Sequence, residues 1–470
     1  MKRAAFTLLT WILGGALLAQ VPPVLDRATF VRIVLENHPV ARQAALRPAL
    51  GEEAVRSARG GFDPVATANY DGKRFDEKNY YRLFEAGLKV PTWYGVELFT
   101  GFRENNGDRL DPQATTPADG LVELGGRISL GQGLLMDQRR ASLRKAQAYL
   151  RATAAEQEQM LNDLLLQALH DHTDWVAAYR SLGIADAAVR LASDRLAAVR
   201  GSWIGGDRPA IDTLEAFLQL QDRWMRQAQA ELALRNATQR LSNHVWDPSQ
   251  RPLELEPSVV PEPADLDSPA SFALADTVID AAIATHPLLT QVMARIDQLG
   301  IERSARAEYL KPKLDLKYHW LGDAGAWSGG ERAATSAQGH QFGIGFQMPL
   351  FLRKERGELA LAGLRITEAD LGLSRDRLRI RTRIRERANE VSTFTEQVRL
   401  GAAMVRNNER LLAGENQRFV AGESSLFLLN AREVPLIDAR LRQVDLEARL
   451  RKAYFSLDHE AGRLWRMWSP

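Results

Sequence analysis

The spacing of apolar residues switches between two periods along this chain, and it does so twice in the same order. In Leu314-Asp315-Leu316-Lys317-Tyr318-His319-Trp320 every second residue is apolar, and Phe342-Gly343-Ile344-Gly345-Phe346-Gln347-Met348 alternates likewise. A period of two predicts strands with one apolar face: Leu314, Leu316, Tyr318 and Trp320 on the first, Phe342, Ile344 and Phe346 on the second. The first half of the chain offers Val122, Leu124, Ile128 and Leu130 interleaved with Glu123, Arg127 and Ser129, and a weaker alternation from Val96 to Arg103. Such alternation fits a transmembrane barrel as well as a soluble sandwich.

Elsewhere the period is helical. Asp137 to Val199 and Arg353 to Val420 contain no proline and are rich in Ala, Leu, Gln, Arg and Glu. At about 1.5 Å per residue each predicts a helix of roughly 95–100 Å. The second stretch carries two seams at sevenfold spacing, Leu364, Leu371, Leu378 and Ile366, Leu373, Ile380. Two residues apart on a helix is about 200°, so the seams lie on opposite flanks, as in a curved wall of helices. A surface helix has one seam. A long coiled coil or bundle explains the sevenfold spacing but not the strands. Each long helix is predicted to turn at Gly206 or Gly422 and to return as a shorter one, near Pro209 to Val245 and Leu426 to Arg466. Short helices lead into each half, Leu25 to Glu36 and Ala41 to Arg59, then Leu274 to Ala284 and Leu288 to Ala307. They break at His38-Pro39 and His286-Pro287, because proline disfavours helix at the residue before it.

The two halves are copies. His38 and His286 are 248 positions apart, Arg56-Ser57-Ala58-Arg59 returns 247 positions later as Arg303-Ser304-Ala305-Arg306, and Pro64 returns as Pro312. Gly206 and Gly422 are only 216 apart, so the first copy carries extra residues between. Repeats of this size pack around an axis or along a line. The organisation read from the chain is a segment 1–20, a first repeat 21–246, a connector 247–271 whose prolines exclude regular helix, and a second repeat 272–470.

Composition narrows the class. Apolar residues make up 45% and charged residues 26%, which suits a folded protein, and the net charge of +2 gives no pull toward polyanions. Lys2 and Arg3, an apolar run from Ala4 to Leu18 and then Ala19-Gln20 form the layout of a secretory signal. No later run approaches 18 apolar residues, so a membrane crossing would fall to strands. With no cysteine, disulfides and thiolate chemistry are excluded. The chain lacks the zinc-protease, nucleophile-elbow and phosphate-loop motifs, and Gly131-Gln132-Gly133 and Gly343-Ile344-Gly345 lack the third glycine of a dinucleotide site. No catalytic residue, metal ligand or cofactor is therefore assigned. His170 and Asp174 share a helix face, and His172 lies off it, so the cluster reads as a solvated or lumen-facing polar patch and not as a metal site. Arg375 to Arg387 alternates arginine with other residues in a strand-like pattern, inside a stretch whose flanks are helical. It reads as a positive stripe on a wall and not as a nucleic-acid site. Tyr70, Trp93, Tyr94, Tyr318, Trp320 and Trp327 suit an aromatic belt at a membrane interface and equally ordinary strand packing.

The chain resembles the TolC family of outer-membrane efflux proteins over almost its whole length. The resemblance rests on the duplication, the His-Pro breaks, the strands opened by Pro64 and Pro312, and Pro349-Leu350-Phe351 before the second long helix. Ile211-Asp212 and Leu214 after Gly206 match the family's turn, whereas Phe427-Leu428 stand where an acid is common, and Leu130 to Leu135 replaces the Pro-Leu-Phe motif in the first copy. The resemblance implies a mainly α fold with β. Each chain of a homotrimer gives four strands to a twelve-stranded barrel in outer-membrane lipid, and helices to a hollow α-barrel across the periplasm. It implies a passive conduit and no enzyme, joined by a periplasmic adaptor to an inner-membrane pump. Gly206, Asp207, Asp212, Gly422 and Glu423 then sit at the periplasmic tip, lining its constriction or touching the adaptor. Physics favours the oligomer, because four strands cannot close a barrel and open edges are not tolerated in hydrocarbon. The segment Val65 to Asp119 exceeds what two strands need and predicts an extended loop or an extra hairpin. The rival reading is a soluble periplasmic coiled-coil scaffold of the adaptor type.

Overall fold

The computed structural model describes residues 22–207, 209–267, 275–327 and 339–468; the expected signal at 1–20 and the last residues of the expected connector lie outside them. In chain order the elements are β1 (Val24–Leu25), α1 (Arg27–Asn37), α2 (Pro39–Ala45), α3 (Arg47–Arg59), β2 (Val65–Phe75), β3 (Lys78–Pro91), β4 (Val96–Asn106), β5 (Leu121–Gly131), α4 (Gln138–Ile204), α5 (Ala210–Ser242), β6 (Val260–Pro261), α6 (Asp276–Ala284), α7 (Pro287–Glu308), β7 (Lys313–Asp323), α8 (Ala324–Trp327), β8 (Gly339–Gln347), α9 (Arg353–Val420) and α10 (Leu426–Glu460). They fall into two units, each drawing on both copies. One comprises the chain through Ala45, Glu158–His286 and everything from Arg379; the other comprises Leu46–Gln157 and Pro287–Leu378.

The long helices form as the missing prolines predict. α4 has 67 residues and α9 has 68, about 100 Å each at 1.5 Å per residue. α9 runs unbroken through the arginine alternation. Its buried positions there are Asp376, Ile380 and Ile384, four apart, so the helical period governs and the local strand pattern is overridden. The expected positive stripe is also largely paired. Arg381 meets Asp280 at 2.5 Å and Arg385 meets Asp276 at 3.0 Å, both on α6, and Arg383 meets Glu460 of α10 at 3.7 Å.

The first unit buries its core where α1, α4, α5 and α10 meet: Phe30 and Val34, Leu165 and Leu169, Leu241, then Val444 and Phe455. Each such side chain contributes about 1.5–3 kcal/mol of burial. α1 starts where Asp26 caps it, accepting from the Ala28 and Thr29 amides. Past Asp247 the proline-rich stretch forms no α-helix among the described residues and instead supplies β6, which pairs with β1 in parallel.

The second unit holds a sheet in the order β2-β3-β4-β5-β7-β8, every neighbouring pair antiparallel. Six strands are two more than the four that the resemblance implies. The extra pair is the hairpin β3–β4, inside the segment whose length predicted a loop or hairpin. Next to the sheet, α3 packs closely on α4 at Gly51, where a Cβ would come within 2.9 Å of Leu150 and Thr153. α7 is tied to α4 by Lys145–Glu302 and Arg151–Asp297, both at 2.9 Å.

Candidate functional site

Residues paired across an antiparallel ladder point to the same face of a sheet. Leu314 pairs with Phe346, Leu316 with Ile344 and Tyr318 with Phe342, while Trp320 pairs with Leu124 on β5. The seven strand residues singled out from sequence therefore share one face. It continues through Ile128 and Val122 to Leu98 and Phe102 on β4, Leu88 and Phe84 on β3, and Tyr70 on β2. Much of this face is bare: Phe346 is 69% exposed, Ile344 61% and Tyr318 53%. A contiguous apolar patch of this extent marks a surface that meets lipid or protein. Tyr70, Trp93, Tyr94 and Tyr318 are exposed as well; the side chain of Trp327 lies outside the described residues.

The opposite face is polar and glycine-rich. Arg103 pairs with Glu123 and Arg127 with Glu97, across β4 and β5, and Arg139 at the start of α4 adds a second contact to Glu97 at 2.7 Å. Ser129 donates to Asp315, and the ring of Phe99 stacks on His319 at 5.4 Å. This face is concave, enclosing a hollow of about 420 Å³ lined among others by Asn69, Glu85, Lys89, Arg127 and Lys317. One wall apolar and bare, the other polar and concave, is the arrangement that separates hydrocarbon from a water-filled bore.

Gly206 and Gly422 end the two long helices in the same way. Their φ values are +82° and +80°, in the left-handed region that favours glycine. At the first, the Asp207 amide donates to the Ser202 carbonyl at 2.9 Å and the Gly206 amide to Trp203 at 3.0 Å. At the second, Glu423 donates to Arg418 at 2.8 Å and Gly422 to Phe419 at 3.1 Å. This pair of bonds is the Schellman ending. Pro209 is the N-cap of α5, and Asp212 lies in the first turn, where an acid complements the helix dipole. The structure brings both turns to one place: Leu426, just beyond Gly422, is buried with Leu196, Val199, Ala216 and Leu220. Asp207 and Glu423 are exposed there and Asp212 half-buried. Beside the turns, a groove of about 350 Å³ between α5 and α10 is lined by Leu218, Asp222, Arg223 and Phe427. Below it Glu433 is buried with Arg195 at 2.5 Å and Arg223 at 4.0 Å.

Sequence reasoning misplaced one residue and missed one pattern. His172 is not part of a solvated patch. It is 1% exposed and stacks on Phe30 with ring centres 5.1 Å apart, and burial pushes it down to about 3. Of its neighbours, Asp171 accepts from the His244 Nε2 at 2.8 Å and Asp174 pairs with Lys452. Among the described residues no cluster of three or more His, Asp or Glu side chains could hold a metal. The missed pattern is a sevenfold ladder on α5, Ile211, Leu218, Met225 and Leu232, all exposed, like Leu364, Leu371 and Leu378 on α9. The repeat-related His38 and His286 are both pushed down to about 4, chiefly by burial. Neutral His38 has a task, for its Nδ1 accepts from the Val40 amide at 3.2 Å and caps α2.

The sequence matches no protein-family model and no curated protein sequence. Solved structures do match. The open-state MtrE outer membrane channel of Neisseria gonorrhoeae aligns with a TM-score of 0.65 at 14% identity, over 93% of this chain and 88% of that one. The CmeC outer membrane channel of Campylobacter jejuni gives 0.61 at 14%, over 93% and 85%. VceC, an outer membrane protein of Vibrio cholerae, gives 0.62 at 13%, over 92% and 95%.

Proposed function

From a TolC-like fold, shared with outer-membrane channels, we propose that this chain is one subunit of a homotrimeric outer-membrane channel. It serves as a passive conduit that receives solutes from an inner-membrane pump through a periplasmic adaptor. The observation that carries this reading is the sheet with one bare apolar face, one concave polar face and two unpaired edge strands, β2 and β8. Such a sheet cannot sit in lipid alone, because every open backbone group in hydrocarbon costs several kcal/mol, and closure with copies of itself removes both edges. Leu314, Leu316, Tyr318, Trp320, Phe342, Ile344 and Phe346 then face lipid. The bare ladders on α5 and α9 supply the apolar seams by which helices of neighbouring subunits join. In this reading Gly206 and Gly422 make the turns of the periplasmic tip, and Asp207, Asp212 and Glu423 flank its opening or meet the adaptor, with the Leu218–Phe427 groove as the neighbouring contact surface.

Fractionation followed by native mass measurement tests the proposal. The expected result is detergent-dependent recovery from the outer membrane as an assembly of three chains. A monomer free in the periplasm would overturn it.

A further inference from the structure

We propose that the barrel is closed by eighteen strands, six from each of three copies, and is therefore wider than a four-strand contribution would give. The inference rests on the channel reading above and concerns the hairpin β3–β4, which has no counterpart in the second copy among the described residues. In that second copy β7 is followed in the sheet directly by β8, whereas in the first copy β3 and β4 lie between β2 and β5.

Three observations place the hairpin in the wall and not on a flap outside it. Its ladders are continuous, running from Val65↔Lys89 to Phe75↔Lys78 between β2 and β3, from Arg82↔Asn106 to Pro91↔Glu97 between β3 and β4, and from Val96↔Ile128 to Arg103↔Leu121 between β4 and β5. Its apolar side, Phe84, Leu88, Leu98 and Phe102, continues the bare face of the other strands, which a water-exposed flap has no reason to do. Its turn is fastened at the helix-proximal end. Glu97 is held by Arg127 and Arg139, Trp93 lies against Phe62 with centroids 5.4 Å apart, and Arg140, 6% exposed, fixes the adjoining loop through the carbonyls of Leu134 at 2.8 Å and Gly133 at 2.5 Å.

Closure is geometrically consistent. With six strands all antiparallel, β2 and β8 run in opposite directions, so β8 of one copy meets β2 of the next as an antiparallel pair. Barrel diameter grows roughly in proportion to strand number, so eighteen strands give about 1.5 times the diameter of twelve. The outlet then suits bulkier solutes than a twelve-stranded one.

Electron cryo-microscopy of the full chain in lipid nanodiscs tests this directly, beside a variant deleted for residues 78–115, in which β2 would join β5 through a short loop. Eighteen strands in the full chain, and a diameter smaller by about one third in the variant, are the expected results. A trimer whose barrel has twelve strands, with β3–β4 outside the wall, overturns the inference and leaves the channel reading intact. Absence of any membrane barrel overturns the channel reading itself. Should the variant fail to assemble, the strand count of the full chain decides alone. An independent check uses the absence of native cysteine. Asn69→Cys combined in turn with Gln341→Cys, Gly343→Cys and Gly345→Cys should give inter-subunit disulfides for at least one pair, whereas Asn69→Cys with Glu85→Cys, its partner on β3, should give only an intrachain bond. Cross-linking of Asn69→Cys to Leu121→Cys on β5, which lies in the same row across the ladders, would place β2 beside β5 and overturn the eighteen-strand wall.

Discussion

His38 converts external acidity into loosening of one helical junction. Its Nδ1 must be unprotonated to accept the Val40 amide, and it sits against His244 with ring centres 5.9 Å apart. Burial first and that second imidazole next hold it down to about 4, whereas an unfolded histidine titrates near 6.5. The folded value lies below the unfolded one, so the stabilisation is complete above pH 6.5, falls as pH drops from about 6.5 to about 4, and changes no further below that. Between pH 7.5 and 5 the difference amounts to about 2 kcal/mol, roughly 25-fold in the local opening equilibrium; this is an upper figure, since solvent reaches part of the ring. Asparagine caps helices as well and does not titrate. Hydrogen exchange of the α1 and α2 amides, corrected for intrinsic rates, should show this acid-dependent loosening in the unmodified chain and most of it gone in His38→Asn. An equal pH dependence in both proteins would refute the reasoning and move the effect to His172.

Other expectations follow from the same geometry. Replacing Gly206 and Gly422 together by valine places β-branched residues at φ near +80°, at about 1–3 kcal/mol of strain each; export should be lost while the trimer still assembles, as read by drug or solute efflux beside native gels. Ile344→Lys on the bare apolar face should reduce membrane-assembled protein, with a cost of about 2–4 kcal/mol near the bilayer centre, whereas Gln341→Lys on the polar face should not; equal yields would remove the assignment of faces. Leu371→Glu in the exposed α9 ladder should weaken subunit association, visible as a monomer fraction in detergent, without altering helix content by circular dichroism. Glu433→Ala should destabilise the region of the turns by about 3–5 kcal/mol, because it leaves Arg195 and the 5%-exposed Arg223 without their shared carboxylate; an unchanged melting profile would argue against that buried cluster.

What could be read from the chain, and what could not, divides along physical lines. α4 and α9 were legible because long proline-free stretches of helix formers have no competing structure, and β7 and β8 because their alternation is strict. β3 was not, since Leu83 stands beside Phe84 and breaks the alternation, and the apolar side of β2 is made of Ala66 and Ala68 with Tyr70, which carries little periodic signal. Length betrayed the hairpin where pattern did not. The glycine turns were visible as matched motifs, yet their shared location depends on Leu426 packing with Leu196 and Leu220, a long-range contact. His172 was misjudged for the same reason: Phe30, which covers it, comes from a distant part of the chain. The α5 ladder, Ile211, Leu218, Met225 and Leu232, stands in the sequence at plain sevenfold spacing.

Two arginines of the concave face are matched by carboxylates on the neighbouring strand, Arg103 with Glu123 and Arg127 with Glu97. Their fields cancel at short range, and at physiological salt whatever remains dies away within about 8 Å. If this face lines a bore, as proposed, a solute passing these pairs would meet little net field, and passage there would sort more by girth than by charge.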